Sequence, residues 1–330
     1  MGLIAKLAWL ASGCVVLGLI LWAGAGPVLG AVAAAGWGVL AVVVLRGVAV
    51  SGAGVGWFFL FPSDLRPSLW TCVRIRFLRE GANSLLPITQ IGGEVIGARA
   101  LTLGGAPASL SAASVIVDVL VQAVTQFLFA ILGLAILASM HGDDGIERTV
   151  AIVIVVAIPA LGGFYFVQTP AGRRFVTAAL KRVAGEREWL SFGAIDALYA
   201  RLAAIYANRR GLALAVVVHA SVWLFGALEV WATLAFMGFP ASYSEALVVE
   251  SLMQAIRGAA FAIPGALGAQ EGGLIALCAI FGVPADAAIA LSLIKRVPDL
   301  VFGVPSLIAW QVLEGRALQG LPASAEGGSR

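Results

Sequence analysis

Apolar residues run along this chain in blocks of twenty or more, separated by short clusters of charge. A helix rising 1.5 Å per residue needs about 20 apolar residues to cross roughly 30 Å of hydrocarbon. Six stretches reach that length: 5–24, 31–61, 108–140, 149–168, 211–238 and 285–313. Only Lys6 precedes the first apolar run, and Ala23-Gly24-Ala25 has the shape of a signal-peptidase site. So weakly basic an n-region favours a retained span over a cleaved leader. The expected fold class is therefore all-α, a polytopic integral membrane protein with about six full spans. It forms one membrane domain over 1–320, followed by a disordered tail at 321–330.

Composition removes the alternatives. The 330 residues are 61% hydrophobic and 12% charged, with a mean hydropathy of +0.99. A soluble domain is about half apolar and a quarter charged, so a water-facing globule or a disordered chain is excluded. Glycine is abundant at 40 residues without any G-x-y period, which fits close helix packing and broken helices in lipid. Cys14, Cys72 and Cys278 lie far apart, and His141 and His219 bring no metal-ligand spacing. No metal site and no cofactor are expected. A nucleotide-binding loop, G-x-S-x-G and H-E-x-x-H are all missing, so neither ATP hydrolysis nor enzymatic chemistry is expected. The net charge of +3 falls in discrete loops and reports topology, not a nucleic-acid partner.

Basic residues set the orientation. Segment 169–210 holds eight basic and three acidic residues, whereas 141–148 holds Asp143, Asp144 and Glu147 against Arg148. The positive-inside rule puts 169–210, both termini, and Arg66, Arg74, Arg76 and Arg79 at the cytoplasmic face. Within 169–210, Phe175, Val176, Ala179, Leu180 and Val183 share one helical face, and Ile195, Leu198, Tyr199, Leu202, Ile205 and Tyr206 share another. Two readings stand: a positive-inside loop with tidy helices, or basic amphipathic helices that meet anionic lipid. Trp22, Trp37, Trp57 and Trp310 lie toward span ends, where interfacial anchors belong.

Two stretches between the spans are too polar and glycine-rich to be ordinary crossings. One, at 81–103, carries Asn83, Pro87, Gly92, Gly93, Glu94 and Arg99; the other, at 257–282, carries Arg257, Pro264, Gly268 and Glu271. In each, a glutamate lies seven residues beyond the proline, and Arg79 or Arg257 precedes that proline by eight or seven. Proline breaks a helix, and a broken backbone in a membrane must line a protein-enclosed polar cavity. Paired interrupted segments in two halves point to a transporter's midplane site. The expected topology brings one in from each side, as re-entrant segments of an inverted repeat. The competing reading is two kinked helices packed for stability.

Charges cluster around these breaks. Arg46, Asp118 and Glu229 interrupt three spans, Glu250 precedes Arg257, and Lys295, Arg296 and Asp299 interrupt the last span. Each costs at least about 2.5–3.5 kcal/mol at a span centre unless paired or hydrated. Glu94 and Glu271 fit gating pairs or proton coupling; Arg257, Lys295 and Arg296 fit contact with phosphate or headgroups. Arg46 and Asp118 fit structural ion pairs, and Glu229 fits either role.

The Leu86-Pro87…Gly92-Gly93-Glu94…Arg99 and Pro264-Gly265…Gly268…Glu271 runs resemble the two signatures of the lysylphosphatidylglycerol synthase transmembrane-region family, a flippase-like membrane domain. The wording from Asn83 to Arg99 is most similar to its hopanoid-biosynthesis-associated branch. The resemblance implies an all-helical inverted-repeat fold in the bacterial inner membrane. It also implies translocation of a lipid, a hopanoid or anionic phospholipid, with lipid-biosynthesis enzymes as partners. Fused members of the family add a soluble aminoacyl-transferase domain; the chain ending at Arg330 leads us to expect no such catalytic half. A proton-coupled small-solute transporter and a non-catalytic scaffold are the alternatives. The oligomeric state is left open.

Overall fold

A computed structural model of the chain describes residues 30, 32–86, 91–141, 144–184, 192–260, 263, 266 and 268–318. The first expected span, Trp22, the tail, Pro87 and Pro264 lie outside the described residues. Within them the fold is helical: α1 (Gly38–Leu60), α2 (Leu69–Leu85), α3 (Gly92–Leu103), α4 (Ala108–His141), α5 (Asp144–Val167) and α6 (Pro170–Ala184). These are followed by α7 (Phe192–Ala207), α8 (Arg209–Phe236), α9 (Tyr243–Ala259), α10 (Ala269–Ile280) and α11 (Ala285–Leu318).

Local chemistry sets the ends of these helices. Ser68 Oγ accepts from the Thr71 N–H at 3.1 Å and starts α2. Ser242 and Glu245 form a reciprocal capping box at α9, and Asn208 caps α8 through the Gly211 N–H. The α3–α4 and α10–α11 corners are built alike. Gly105 and Gly282 adopt φ of +97° and +73°, and Pro107 and Pro284 lead into the next helix. In both corners a backbone N–H three residues past the helix reaches back, Ala106 to Leu101 O at 3.2 Å and Val283 to Cys278 O at 3.1 Å.

That likeness extends over two whole runs of helices. α2, α3 and α4 contain 17, 12 and 34 residues, and so do α9, α10 and α11. The packing matches too. α2 lies on α3 and α3 on α4, as α9 lies on α10 and α10 on α11. Across the runs, α2 packs on α11 and α9 on α4. Between them α1 and α8 pack antiparallel: Gly38 faces Phe236, Gly52 faces Val222, and Gly56 faces His219. Two apolar clusters result, one around Trp57, Phe61, Leu110 and Ile205, the other around Leu234, Met253, Leu274 and Leu291.

Several expectations change. Three described helices, Gly38–Leu60, Ala108–Met140 and Arg209–Phe236, are long and apolar enough to cross a membrane. A fourth candidate is Ile154–Val167 with Pro170–Ala178, bent by 82°. The expected last span, 285–313, lies in α11, a single 34-residue helix that contains Pro298 and Pro305 and is not among these candidates. The broken segments also begin earlier than 81 and 257. Both positions fall inside α2 and α9, whose polar sequences conceal a helix that side-chain caps start at Ser68 and Ser242. Trp57 is not an interfacial anchor: it is fully buried, with the Arg79 guanidinium 5.0 Å above its ring. Trp37, by contrast, is exposed.

Segment 169–210 folds back onto the bundle. α7 packs on α4, burying Leu202 and Ile205, while the Tyr199 hydroxyl donates to Val167 O at 2.7 Å. Arg173 pairs with Asp196 at 2.6 Å and joins α6 to α7. α5, α1 and α8 instead present Val155, Ile158, Val44 and Val217 outward, as lipid-facing helices should.

A backbone-to-backbone approach between the runs tests this packing. A Cβ on Gly81 of α2 would stand 2.6 Å from the Gly303 Cα of α11. Gly81→Leu is expected to push the helices apart at an overpacking cost of about 1–3 kcal/mol or more, read as a lower unfolding midpoint in detergent.

Candidate functional site

Two charged networks, one in each run, hold the polar interior together. In the first, Arg79 of α2 is wholly buried and bridges Asp118 of α4, at 2.7 Å, and Glu94 of α3. Asn83, one helical turn on, accepts from the Gly93 N–H at 2.7 Å and donates to Glu94. The break between α2 and α3 is thus closed by side chains from both sides, which satisfies the helix start within the protein. Gly93 admits this approach, since a Cβ there would meet Asn83 Oδ1 at 2.6 Å. Asp118 also faces His219 Nε2 of α8 at 3.0 Å and accepts from Gln122 Nε2 at 2.8 Å.

The second network has the same plan with different partners. Lys295 of α11 lies between Glu250 of α9, at 2.8 Å, and Glu229 of α8, at 3.3 Å. Glu271, also fully buried, accepts from Arg296 Nη2 at 2.8 Å and Ser292 Oγ at 2.9 Å. Its other oxygen accepts from the Gly268 N–H at 2.7 Å, at the start of α10. Glu94 and Glu271 each stand third in their 12-residue helix and tether the helix start. Their partners differ: Arg79 comes from the preceding helix, Arg296 from the following one.

Between the networks lies a cavity of about 90 Å³. Arg46 of α1, Arg76 and Glu80 of α2, and Gln122 of α4 form one side of its wall. His219 of α8 and Gln254 and Arg257 of α9 form the other, beside Trp223. Arg76 Nη2 donates to Gln122 Oε1 at 2.7 Å, and Gln254 Nε2 donates to Glu250 at 2.7 Å. No cluster of His, Cys, Asp and Glu able to hold a metal occurs among the described residues.

Of the expected site residues, the structure brings Arg79, Asn83, Gly93 and Glu94 into the first network, with Gly92 opening α3 beside them. Gly268, Glu271 and Arg296 meet in the second, and Lys295 stands with Glu250 and Glu229. Arg257 alone among them lines the cavity. Arg257, Lys295 and Arg296 do not form one basic cluster, because Lys295 and Arg296 are each turned to a carboxylate. Arg99 lies apart, exposed and paired with Glu314 at 3.2 Å. Arg76 and Arg79, expected at the cytoplasmic face, are inside the bundle. The cavity wall itself rests on residues that sequence reasoning passed over. Arg46 was assigned a structural pair, and it does stand 3.7 Å from Glu229. His219 carries no sequence signal beyond its lack of metal-ligand spacing, yet it stands 3.0 Å from Asp118. Arg76 and Glu80 were legible as an i, i+4 pair beside an interrupted helix.

Lipid-facing apolar helices around a charged interior define a multi-pass, all-helical membrane protein. The chain belongs to the lysylphosphatidylglycerol synthase TM region family, whose model matches residues 9–306. No curated protein and no solved structure matches it. Membership makes it a membrane protein of a family tied to lipid handling.

Removing one member of a buried pair leaves an uncompensated charge. Asp118→Asn is expected to destabilise the fold by about 3–5 kcal/mol, because Arg79 and Arg76 lose a shared counter-ion. Replacing all three members, Arg79→Met with Asp118→Leu and Glu94→Gln, should recover much of that loss in denaturant titrations followed by circular dichroism.

Proposed function

We propose that this protein moves an amphipathic lipid, a hopanoid or a phospholipid, between the leaflets of the bacterial inner membrane. The reading rests on one observation: two matched helix runs cross-pack around a polar cavity. The α1–α8 pair runs antiparallel, so an axis that superposes α1–α4 on α8–α11 lies across these helices. With α1 and α8 spanning the membrane, that axis lies in the membrane plane and the halves are inverted repeats. α2–α3 and α9–α10 are then the two re-entrant hairpins, one from each side, and both termini are cytoplasmic. Such a fold can expose a central polar site to either side by rocking one half against the other, while acyl chains stay in lipid.

The transport needs no bond made or broken, and we assign the chain no enzymatic step. Lipid-biosynthesis enzymes are the partners that would supply its cargo, and a hopanoid-associated role is the narrower form of the proposal. A second reading, a proton-coupled small-solute transporter, draws support from His219 and Asp118, 3.0 Å apart beside a cavity of small volume.

Reconstitution into vesicles carrying a fluorescent phospholipid, with quenching of one leaflet, separates the two. The protein is expected to accelerate leaflet exchange, and Glu271→Gln, which loosens the Arg296–Glu271–Gly268 tether, to slow it by about tenfold. Absence of any acceleration by the wild type defeats the lipid reading. Currents that follow a pH step without lipid exchange support the solute reading instead.

A further inference from the structure

We infer that the cavity between α1, α2 and α9 is a binding site for a phosphate-class oxyanion, gripped by Arg46, Arg76 and Arg257. The inference deepens the lipid-handling proposal by naming the chemistry its cargo must present, and it rests on that proposal only for the anion's source.

The wall is unbalanced in charge. It carries three guanidinium groups and one carboxylate, Glu80, which already stands 3.8 Å from Arg76 Nη2. Asp299 of α11 lies near enough to Arg46 and Arg257 to add its charge, with its Oδ1 making no hydrogen bond, and the remaining acids are engaged. Asp118 is engaged by Arg79 at 2.7 Å and by His219, and Glu229 and Glu250 by Lys295. What remains on the wall is donor capacity. Arg46 Nε and Nη2 and Arg76 Nε and Nη1 are shielded from solvent and make no hydrogen bond. The nearest carboxylate oxygens, Glu229 Oε1 at 3.7 Å from Arg46 Nε and Asp118 Oδ2 at 3.5 Å from Arg76 Nη1, contribute charge without a bond.

Buried donors left unpaired each carry a desolvation penalty of about 1–3 kcal/mol, more for charged groups. An occupant that relieves several of them at once must offer acceptors in several directions and no donors of its own. A tetrahedral oxyanion does so, and arginine forks match its edges two N–H groups at a time. The volume of about 90 Å³ holds a group of that size. The half-buried Arg257 stands with the partly exposed Glu80, where an ester substituent would leave the cavity. The apolar side of the wall, at Ala49, Val50, Ala53 and Val222, offers nothing to an ammonium or a sugar hydroxyl.

Titration calorimetry on the full chain in detergent tests the site with three probes: dioctanoyl phosphatidic acid, inorganic phosphate and dioctanoylglycerol. Arg257→Gln is the decisive variant, since its half-buried side chain leaves the packed core intact; Arg46→Gln is the second, and Arg99→Gln the exposed control. Size-exclusion profiles matching the wild type establish folding. Binding of phosphatidic acid alone, weakened about tenfold by Arg257→Gln and unchanged by Arg99→Gln, establishes the site with a lipid headgroup as its source. Binding of inorganic phosphate with the same arginine dependence establishes it with the free ion as its source. Binding of neither phosphate-bearing probe overturns the inference, as does equal binding of dioctanoylglycerol or indifference to Arg257→Gln. Leaflet exchange without phosphate binding removes this site and leaves transport standing. Arginine-dependent phosphate binding without exchange does the reverse.

Discussion

No charge in this protein can be left facing hydrocarbon, and the arrangement of the helices follows from that constraint. A single ionised side chain at the membrane centre costs at least about 2.5–3.5 kcal/mol. Arg79, Asp118, Glu229, Glu250, Glu271 and Lys295 are all nearly or fully buried. Each is tied to an opposite charge on a different helix, so the ion pairs are also the cross-links between helices. Arg79 alone joins α2, α3 and α4. A break in a transmembrane helix is tolerable where such side chains meet the freed backbone, and Asn83 and Glu271 do so at the starts of α3 and α10.

The two runs meet this constraint with opposite signs. Counted from each helix start, Arg76 and Glu250 hold the same place in α2 and α9, and Asp118 and Lys295 hold the same place in α4 and α11. A base facing an acid in one run is an acid facing a base in the other, at 3.5 and 2.8 Å. Neither sign is needed for the fold; the complementarity is. Glycine supplies the remaining contacts, letting α2 reach α11 at Gly81 and Gly303, and α1 reach α8 at Gly52 and Gly56.

Much of this was legible in the sequence, and unevenly so. Long apolar runs gave α1, α4 and α8 directly, because twenty apolar residues in a row leave few alternatives. The hairpins were visible only as their breaks. α2 reads Leu-Trp-Thr-Cys-Val-Arg-Ile-Arg-Phe-Leu-Arg-Glu, which no hydropathy window marks as membrane-buried, and its start depends on a Ser68 cap. The glutamates at the breaks stand out by their spacing from proline: Glu271 accepts from the backbone N–H at its helix start, whereas Glu94 accepts from Asn83, which does so in its place. Pairing was the harder part. A count of five basic and six acidic residues near the breaks cannot say which acid takes which base. Lys295 and Arg296 are neighbours in sequence, yet successive positions on a helix point about 100° apart, and the two meet different carboxylates.

The same geometry explains why the cavity stands where it does. Each network closes within its own run, Asp118 with Arg79 and Glu250 with Lys295, so polar groups left over collect at the seam between runs. Arg46 and Arg76 stand there with N–H groups left unbonded, carried on α1 and α2 across the cavity from α8 and α9. A fold under pressure only to be stable would fill that seam with leucine, as it does around Leu234 and Leu291. Local violations of packing rules mark functional sites when nothing nearby offsets them. Here the unpaired donors face a space, and Gln126 Nε2, donating to Gln254 O at 2.6 Å, ties the two runs together beside it. The antiparallel α1–α8 pair is packed through Gly38, Gly52 and Gly56, and Arg46, 3.7 Å from Glu229, is the charged contact that relative motion of these two helices would stretch. Two networks that pair their own charges and an unsatisfied polar wall at the seam between them are one arrangement, and the second follows from the first.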